Sequence, residues 1–251
     1  MAGHAAPNIV EDGLVFYVDA ANSRSYPRSG ATATDLINNI TGTLSGANGD
    51  NNTPQWENTN GGVFDFDGTD DSISTTSSWQ TDIGLNNATK LSFSAWVKPN
   101  SGTGSSIMAI TSQAYGTWNG NFNITYRADT TTLALEFRGA GGIFINSSTT
   151  LAGDTWHHIC FVLDLTLGGT IAQEVRCFVN NSEVANQSSQ NPPLNFVLKT
   201  TSFNIGRTFW GAGPAGYPWN GNISNISFYN KALSEAEVKQ NYNALKGRFG
   251  L

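Results

Sequence analysis

Apolar and polar residues alternate with a period of two through much of this chain, the pattern of half-buried β-strands. In Leu91-Ser92-Phe93-Ser94-Ala95-Trp96-Val97, one face carries Leu91, Phe93, Ala95 and Val97, and the other carries Ser92 and Ser94. Shorter versions recur at Phe122/Ile124/Tyr126, Leu133/Leu135/Phe137 and Phe203/Ile205. The run WHHICFVLD, Trp156 to Asp164, is apolar on both faces in its middle and predicts a central strand covered on each side. Gly168-Gly169 then marks a hairpin-type turn, Val175/Cys177/Val179 the partner strand, and Asn180-Asn181 a further turn. Between Asn220 and Tyr229 the phase changes, with Ile223 on one face and Ile226 and Phe228 on the other. That change predicts a β-bulge or a strongly twisted edge.

One helix is predicted, over 234–246. Ser234 and Glu237 have the spacing of a capping box, in which each side chain satisfies a free backbone N–H. Leu233 and Val238 fit a hydrophobic staple, Val238, Tyr242 and Leu245 form one stripe, and Gly247 is the expected stop.

Composition supports the all-β reading. Only 13% of the 251 residues are charged, about half the usual share. Asn, Ser, Thr and Gly fill the balance, and these favour turns. No repeat or linker interrupts the chain, so a single domain over 14–251 is expected, preceded by an N-terminal arm, residues 1–13. The net charge is −6 with no Lys/Arg cluster, which argues against a nucleic-acid partner. MAGHAAPNIVEDG has neither the basic nor the apolar region of a signal peptide, so use without classical secretion is expected, with a trimmed N-terminus as the alternative. No apolar run approaches the roughly 20 residues of a membrane helix, and membrane insertion is not expected. Cys160 and Cys177 make no disulfide framework. They fall on neighbouring predicted strands, where two buried thiols are the favoured reading and a bridge stays open.

Five segments in order, FDFDGTDDSIS (Phe64–Ser74), LSFSAWVKP (Leu91–Pro99), DTWHHICFVLD (Asp154–Asp164), FNIGR (Phe203–Arg207) and WNGNISNISFYNKALSEAEVKQNY (Trp219–Tyr242), carry a resemblance. Together they resemble the laminin G-like, pentraxin-like branch of the concanavalin A-like lectin/glucanase superfamily. The resemblance implies a jelly-roll of two packed antiparallel sheets with the short C-terminal helix docked on it. The ends, Ala6–Gly30 and Asn241–Leu251, look like the termini of laminin G-like proteins from tailed-phage virions.

Catalysis is not expected. The superfamily's glucanases carry a Glu-x-Asp-x-Glu-type strand, and retaining hydrolysis needs two carboxyl groups about 5 Å apart. Here Glu136 stands alone, and Glu174 and Glu183 lack an acidic partner two residues on. Asp65-x-Asp67 precedes Gly68 and matches the family's structural turn. Nor is there a defensible Ser/His/Asp arrangement.

Asp67, Asp70 and Asp71 surround the Gly68-Thr69 turn, and calcium takes carboxylate and carbonyl oxygens of this kind. Laminin G-like and pentraxin relatives often bind calcium at the sandwich rim, although this segment in the family is commonly a plain strand–turn–strand with Asp capping its own backbone. Asp19 and Asp35 are the other acidic candidates. His157-His158 beside Cys160 reads as packed strand entry, because consecutive strand residues point to opposite faces. Loop aromatics carry the best ligand signal: Tyr115, Trp118, Trp210, Tyr217 and Trp219 sit among Gly and Asn, and rings suit sugar stacking or docking of neighbours. The competing role is that Trp118 and Trp219 cap the open ends of the sandwich.

The resulting expectation is a non-enzymatic phage virion structural protein, a capsid decoration or tail-associated subunit assembled in the host cytoplasm. Its partners would be other virion proteins such as major capsid or tail subunits, further copies of itself in a homo-oligomer, and cell-surface glycans. No cofactor is required, and calcium is allowed for. The alternative is a free carbohydrate-binding module or lectin, calcium-dependent in one form.

Overall fold

A computed structural model describes residues 8–46, 53–75, 78–85, 88–101, 107–113, 121–127, 132–138, 143–168, 174–188, 202–208 and 216–251. In chain order the strands are β1 (Leu14–Asp19), β2 (Thr32–Thr34), β3 (Thr41–Ser45), β4 (Gln55–Glu57), β5 (Val63–Asp67), β6 (Ser72–Thr75), β7 (Lys90–Pro99), β8 (Ile107–Gln113) and β9 (Asn121–Arg127). They continue with β10 (Thr132–Arg138), β11 (Ile143–Ser148), β12 (His157–Asp164), β13 (Val175–Val179), β14 (Ser182–Val184), β15 (Asn186–Ser188), β16 (Phe203–Ile205) and β17 (Asn220–Tyr229). Helix α1 spans Trp79–Asp82 and α2 spans Glu235–Leu245, followed by a 3₁₀ turn, Lys246–Phe249.

The strands form two antiparallel sheets. One runs β14-β13-β12-β7-β17-β5-β4, with β1 also paired to β17; the other runs β15-β11-β10-β9-β8-β16-β6-β3-β2. Inward-facing apolar residues fill the space between them, among them Phe64 and Phe66, Phe93 and Ala95, Ile124 and Tyr126, Leu133 and Leu135, and Ile159 and Phe161. The result is the expected all-β jelly-roll sandwich with a short C-terminal helix.

Strands β7 and β12 bury both faces, since α2 and the 3₁₀ turn cover the outer face of the first sheet. Cys160, Val162, Phe178 and Tyr229 pack there with Leu233 and Val238. Trp96, Trp156 and Val63 pack with Phe249, against which Tyr242 and Leu245 lie. The capping box is formed: Ser234 Oγ accepts the Glu237 N–H, and the Glu237 carboxylate accepts the Ser234 N–H. Gly247 does not end the segment. The chain tightens into the 3₁₀ turn and stops at Gly250, which takes the left-handed conformation (φ 76°).

In β17 the predicted bulge lies between Ile223 and Asn225, opposite β7. Its effect is the reverse of a change of face. The extra residue brings Ile226 and Phe228 back into the same core as Ile223, and the strand is central, flanked by β7 on one side and β5 and β1 on the other. The two cysteines do not face each other. Cys177 pairs with Phe161 and lies between the sheets, whereas Cys160 pairs with Phe178 and lies under α2. Both are free and buried, on opposite faces, and this geometry forbids a bridge.

Residues 8–13 of the expected arm belong to the body of the domain. Val10 is buried and donates its N–H to Asn241 Oδ1 at 2.8 Å, while the Asn8 carbonyl accepts from Gln240. Lys231 bridges Asp12 and Glu237. Helix α1 had no forecast from periodicity. Trp79 on it is fully buried and stacks on Phe203, with ring centroids 4.3 Å apart.

A candidate recognition site at one rim of the sandwich

Strand β5 alternates strictly: Phe64 and Phe66 enter the core, and Asp65 and Asp67 face away. Asp65 accepts a hydrogen bond from the Asn222 side chain at 3.0 Å. At the strand end the chain reverses through Gly68, whose φ is +77°; a Cβ there would come within 2.7 Å of Asn220. Glycine meets both requirements.

This reversal gathers three carboxylates. Asp67 Oδ1 accepts the N–H groups of Thr69 (2.7 Å) and Asp70 (3.3 Å), and Asp71 Oδ2 accepts the Asp67 N–H at 3.0 Å. The capping role expected of this turn is therefore present. The same carboxylates also converge, with one oxygen of each of Asp67, Asp70 and Asp71 within 4.8 Å of the others. Asp71 is 2% exposed, and its Oδ1 is buried without a hydrogen-bond partner. Burial, followed by the charges of Asp67, Asp70 and Asp65, pushes the Asp71 carboxyl up to about 7.

The next part of the rim is the segment after β16. Arg207 Nη1 donates to the Asp70 carbonyl at 3.0 Å, which ties this segment to the acidic turn. Tyr217 is half-buried; its N–H donates to Thr208 Oγ1 and its carbonyl accepts from Ala109 N–H, both at 3.1 Å. Asn100 and Asn220 are joined side chain to side chain at 2.8 Å.

The sequence-expected residues divide accordingly. Asp67, Asp70 and Asp71 come together, and Tyr217 lies on the connection that Arg207 ties to them. Trp219 does not serve as a contact residue: it is fully buried in the main core, with its backbone N–H bonded to the Gly206 carbonyl. The strand-like entry into β17 draws its indole inward, so it fills the core. Tyr115, Trp118 and Trp210 lie outside the described residues.

The other acidic candidates are engaged elsewhere. Asp35 accepts the N–H groups of Tyr17, Ile37 and Asn38, and Asp19 pairs with Arg248. His157 and His158 point to opposite sides. His157 Nε2 lies 3.1 Å from the Ala152 carbonyl, and His158 Nε2 lies 2.8 Å from Ser94 Oγ. Complete burial lowers His158 to about 3 and keeps it neutral.

Residues 67–239, more than half the chain, match the Laminin G 3 family, described as the concanavalin A-like lectin/glucanases superfamily. The chain belongs to this superfamily. No curated protein sequence matches it. Among solved structures, this superfamily member resembles domain 4 of AbnA, an extracellular arabinanase from Geobacillus stearothermophilus solved with arabinotriose. That match has a TM-score of 0.64 and 18% identity, covering 93% of this chain and 100% of that domain. It also resembles the binding domain of botulinum neurotoxin DC in complex with SialylT, with a TM-score of 0.66 and 13% identity over 93% of this chain and 52% of that one. A third likeness is to the Trypanosoma rangeli sialidase in complex with the inhibitor DANA, with a TM-score of 0.61 and 12% identity over 96% of this chain and 36% of that one. The chain thus spans a whole arabinanase domain, about half of the toxin domain and about a third of the sialidase. At these identities the likeness is one of fold.

The rim of this concanavalin A-like sandwich has the donors a hard cation takes. Calcium is held by carboxylate and carbonyl oxygens, and the orphaned Asp71 oxygen and raised carboxyl fit such an ion. Asp67, Asp70 and Asp71 would hold it. Bound there, it would supply positive charge to the cluster.

Proposed function

We propose that this chain is a non-catalytic glycan-recognition domain that binds through the rim formed by Asp67, Asp70, Asp71 and Tyr217. The observation that carries this reading is the convergence of three carboxylates around a buried, unpartnered Asp71 oxygen, at a turn that Arg207 ties to the segment after β16. A calcium ion would relieve the mutual repulsion of the carboxylates and orient sugar hydroxyls. The Tyr217 ring would offer an apolar face to the sugar ring. The arabinanase domain solved with arabinotriose and the toxin domain solved with SialylT support the ligand class.

Turnover is not part of the proposal. A raised carboxyl beside a carboxylate is what a glycosidase uses, but Asp71 is shielded from a glycosidic oxygen and Asp67 Oδ1 is spent on its own turn. Melting with calcium and with a chelator tests the ion: calcium raises the melting temperature, and an identical temperature in saturating chelator removes it.

The biological setting we propose is a tailed-phage particle, where the domain is a capsid decoration or tail-associated subunit repeated by symmetry. The likeness of Ala6–Gly30 and Asn241–Leu251 to virion proteins of this fold supports that setting. A second reading, a module appended to or working beside an enzyme, is favoured by the full-length superposition on an arabinanase domain. A mass-spectrometric census of purified particles separates them: high copy number supports the virion, and absence supports the free module.

A further inference from the structure

A second concave site lies on the outer face of the first sheet, away from the acidic rim. Asn180 and Asn181 both have positive φ (49° and 66°), and this tight turn folds β14 back beside β13. Phe178 and Glu183 are directly paired, so both face outward. Helix α2 crosses the same face, beginning at Glu235. Between turn and helix is a cleft of about 350 Å³ lined by Phe178, Asn181, Glu183, Glu235, Ala236 and Lys239. That volume is at the small end of the roughly 300–1,000 Å³ range of ligand pockets.

The cleft is organised before any ligand arrives. Arg176 donates through Nε (2.9 Å) and Nη2 (2.6 Å) to the two Glu183 oxygens, and Nη2 also donates to Glu235. Its guanidinium lies 4.9 Å from the Phe178 ring centre. The carboxylates are thus held in place, which reduces the side-chain ordering cost of binding. Lys239 is exposed and makes no ion pair among the described residues.

Charge and polarity select the ligand class. Arg176 and Lys239 balance Glu183 and Glu235, so the cleft has no net charge with which to select an ionic ligand. It offers carboxylate acceptors, ammonium and amide donors, and apolar surface from the exposed Ala236, above a floor closed by the buried Phe178. A pyranose or furanose ring presents the complement, hydroxyl donors and acceptors around an apolar C–H face. Floor strand β13 is four strand positions from β5 in the sheet order, about 19 Å at the usual spacing. No calcium ligand of the rim reaches it.

We infer that this cleft is a second, metal-independent binding site for a neutral sugar residue. The inference does not rest on the rim reading. It is tested by titrating the ¹⁵N-labelled protein with arabinotriose and with lactose in excess chelator. The expected result is shifted amides at Asn181, Glu183, Glu235 and Lys239, with Lys239→Ala and Glu235→Gln each weakening binding about fivefold, the worth of one hydrogen bond. Both positions are exposed, and unchanged spectra elsewhere verify the fold. Unmoved cleft amides with both sugars overturn the inference, as do shifts that neither variant weakens. Failure of the rim reading is seen separately, as unmoved amides around Asp70 and Tyr217 in a parallel titration with calcium present.

Discussion

Phe249 lies flat on Trp96, with ring centroids 4.3 Å apart and planes inclined by 22°. One ring comes from the 3₁₀ turn at the end of the chain and the other from the central strand β7, so the last residues close the outer face of the first sheet. Arg248 next to it donates to Asp19 Oδ1 at 2.9 Å and to the carbonyls of Asn60 and Gly62. Phe249→Ala should therefore cost about 3 kcal/mol, the usual loss for a large buried ring. Urea denaturation measures it, and a loss under about 1 kcal/mol would show that the turn is only loosely docked.

The capping box makes a smaller and more local prediction. Ser234→Ala removes the acceptor of the Glu237 N–H and should cost about 1 kcal/mol. Ser234→Asp, which keeps an acceptor, should recover most of it. Equal losses in the two variants would mean that the hydroxyl contributes through some other contact.

Asp71 gives a pH dependence of definite sign. Its folded-state carboxyl is raised to about 7, above the ordinary carboxylate value, so the folded state holds the proton more tightly than the unfolded chain. The associated stability is complete below about pH 4 and is lost as pH rises through about 7. Asp71→Asn keeps an acceptor for the Asp67 N–H and lacks the charge. It should exceed the parent in stability by roughly 1–2 kcal/mol at about pH 8 in chelator, with the gain vanishing near pH 4. Denaturation curves at the two pH values decide this, and a gain that does not change with pH would contradict it.

The cysteines should behave as inert core residues. Burial raises both thiols, Cys177 to about 12 and Cys160 beyond the usual range, so neither forms a thiolate at neutral pH. Ellman's reagent should find no reactive thiol in the folded protein and two after unfolding. An intramolecular disulfide after mild oxidation of the folded chain would contradict their placement on opposite faces.

Much of the sandwich was legible because its strands obey a simple period. The alternation around Phe93, the doubly apolar run around Cys160 and the Ser234–Glu237 spacing each predicted the element that is present. The bulge in β17 was visible as a break in phase, but its consequence depended on register with β7, a long-range property. The same limit hid the opposed faces of Cys160 and Cys177, which only the pairing of Phe161 with Cys177 reveals. Trp219 was misplaced because Gly and Pro around it suggest a loop tip, whereas the N-terminal end of β17 carries it into the core. Helix α1 is one turn long, too short for any period. At the rim, the identity of the three aspartates was legible. The burial that raises Asp71, and the Arg207 bond that ties the segment after β16 to the turn, arise from residues distant in sequence.

The central claim is that the acidic rim and Tyr217 recognise glycans. Its most direct test is binding of the labelled protein to a glycan array, with calcium and with chelator, for the parent, Asp70→Asn and Tyr217→Ala. The account predicts a defined set of bound glycans in calcium, loss of that binding in chelator and in Asp70→Asn, and marked weakening in Tyr217→Ala at nearly unchanged thermal stability. Binding that is indifferent to calcium and to both substitutions, or no glycan bound above background, would contradict it.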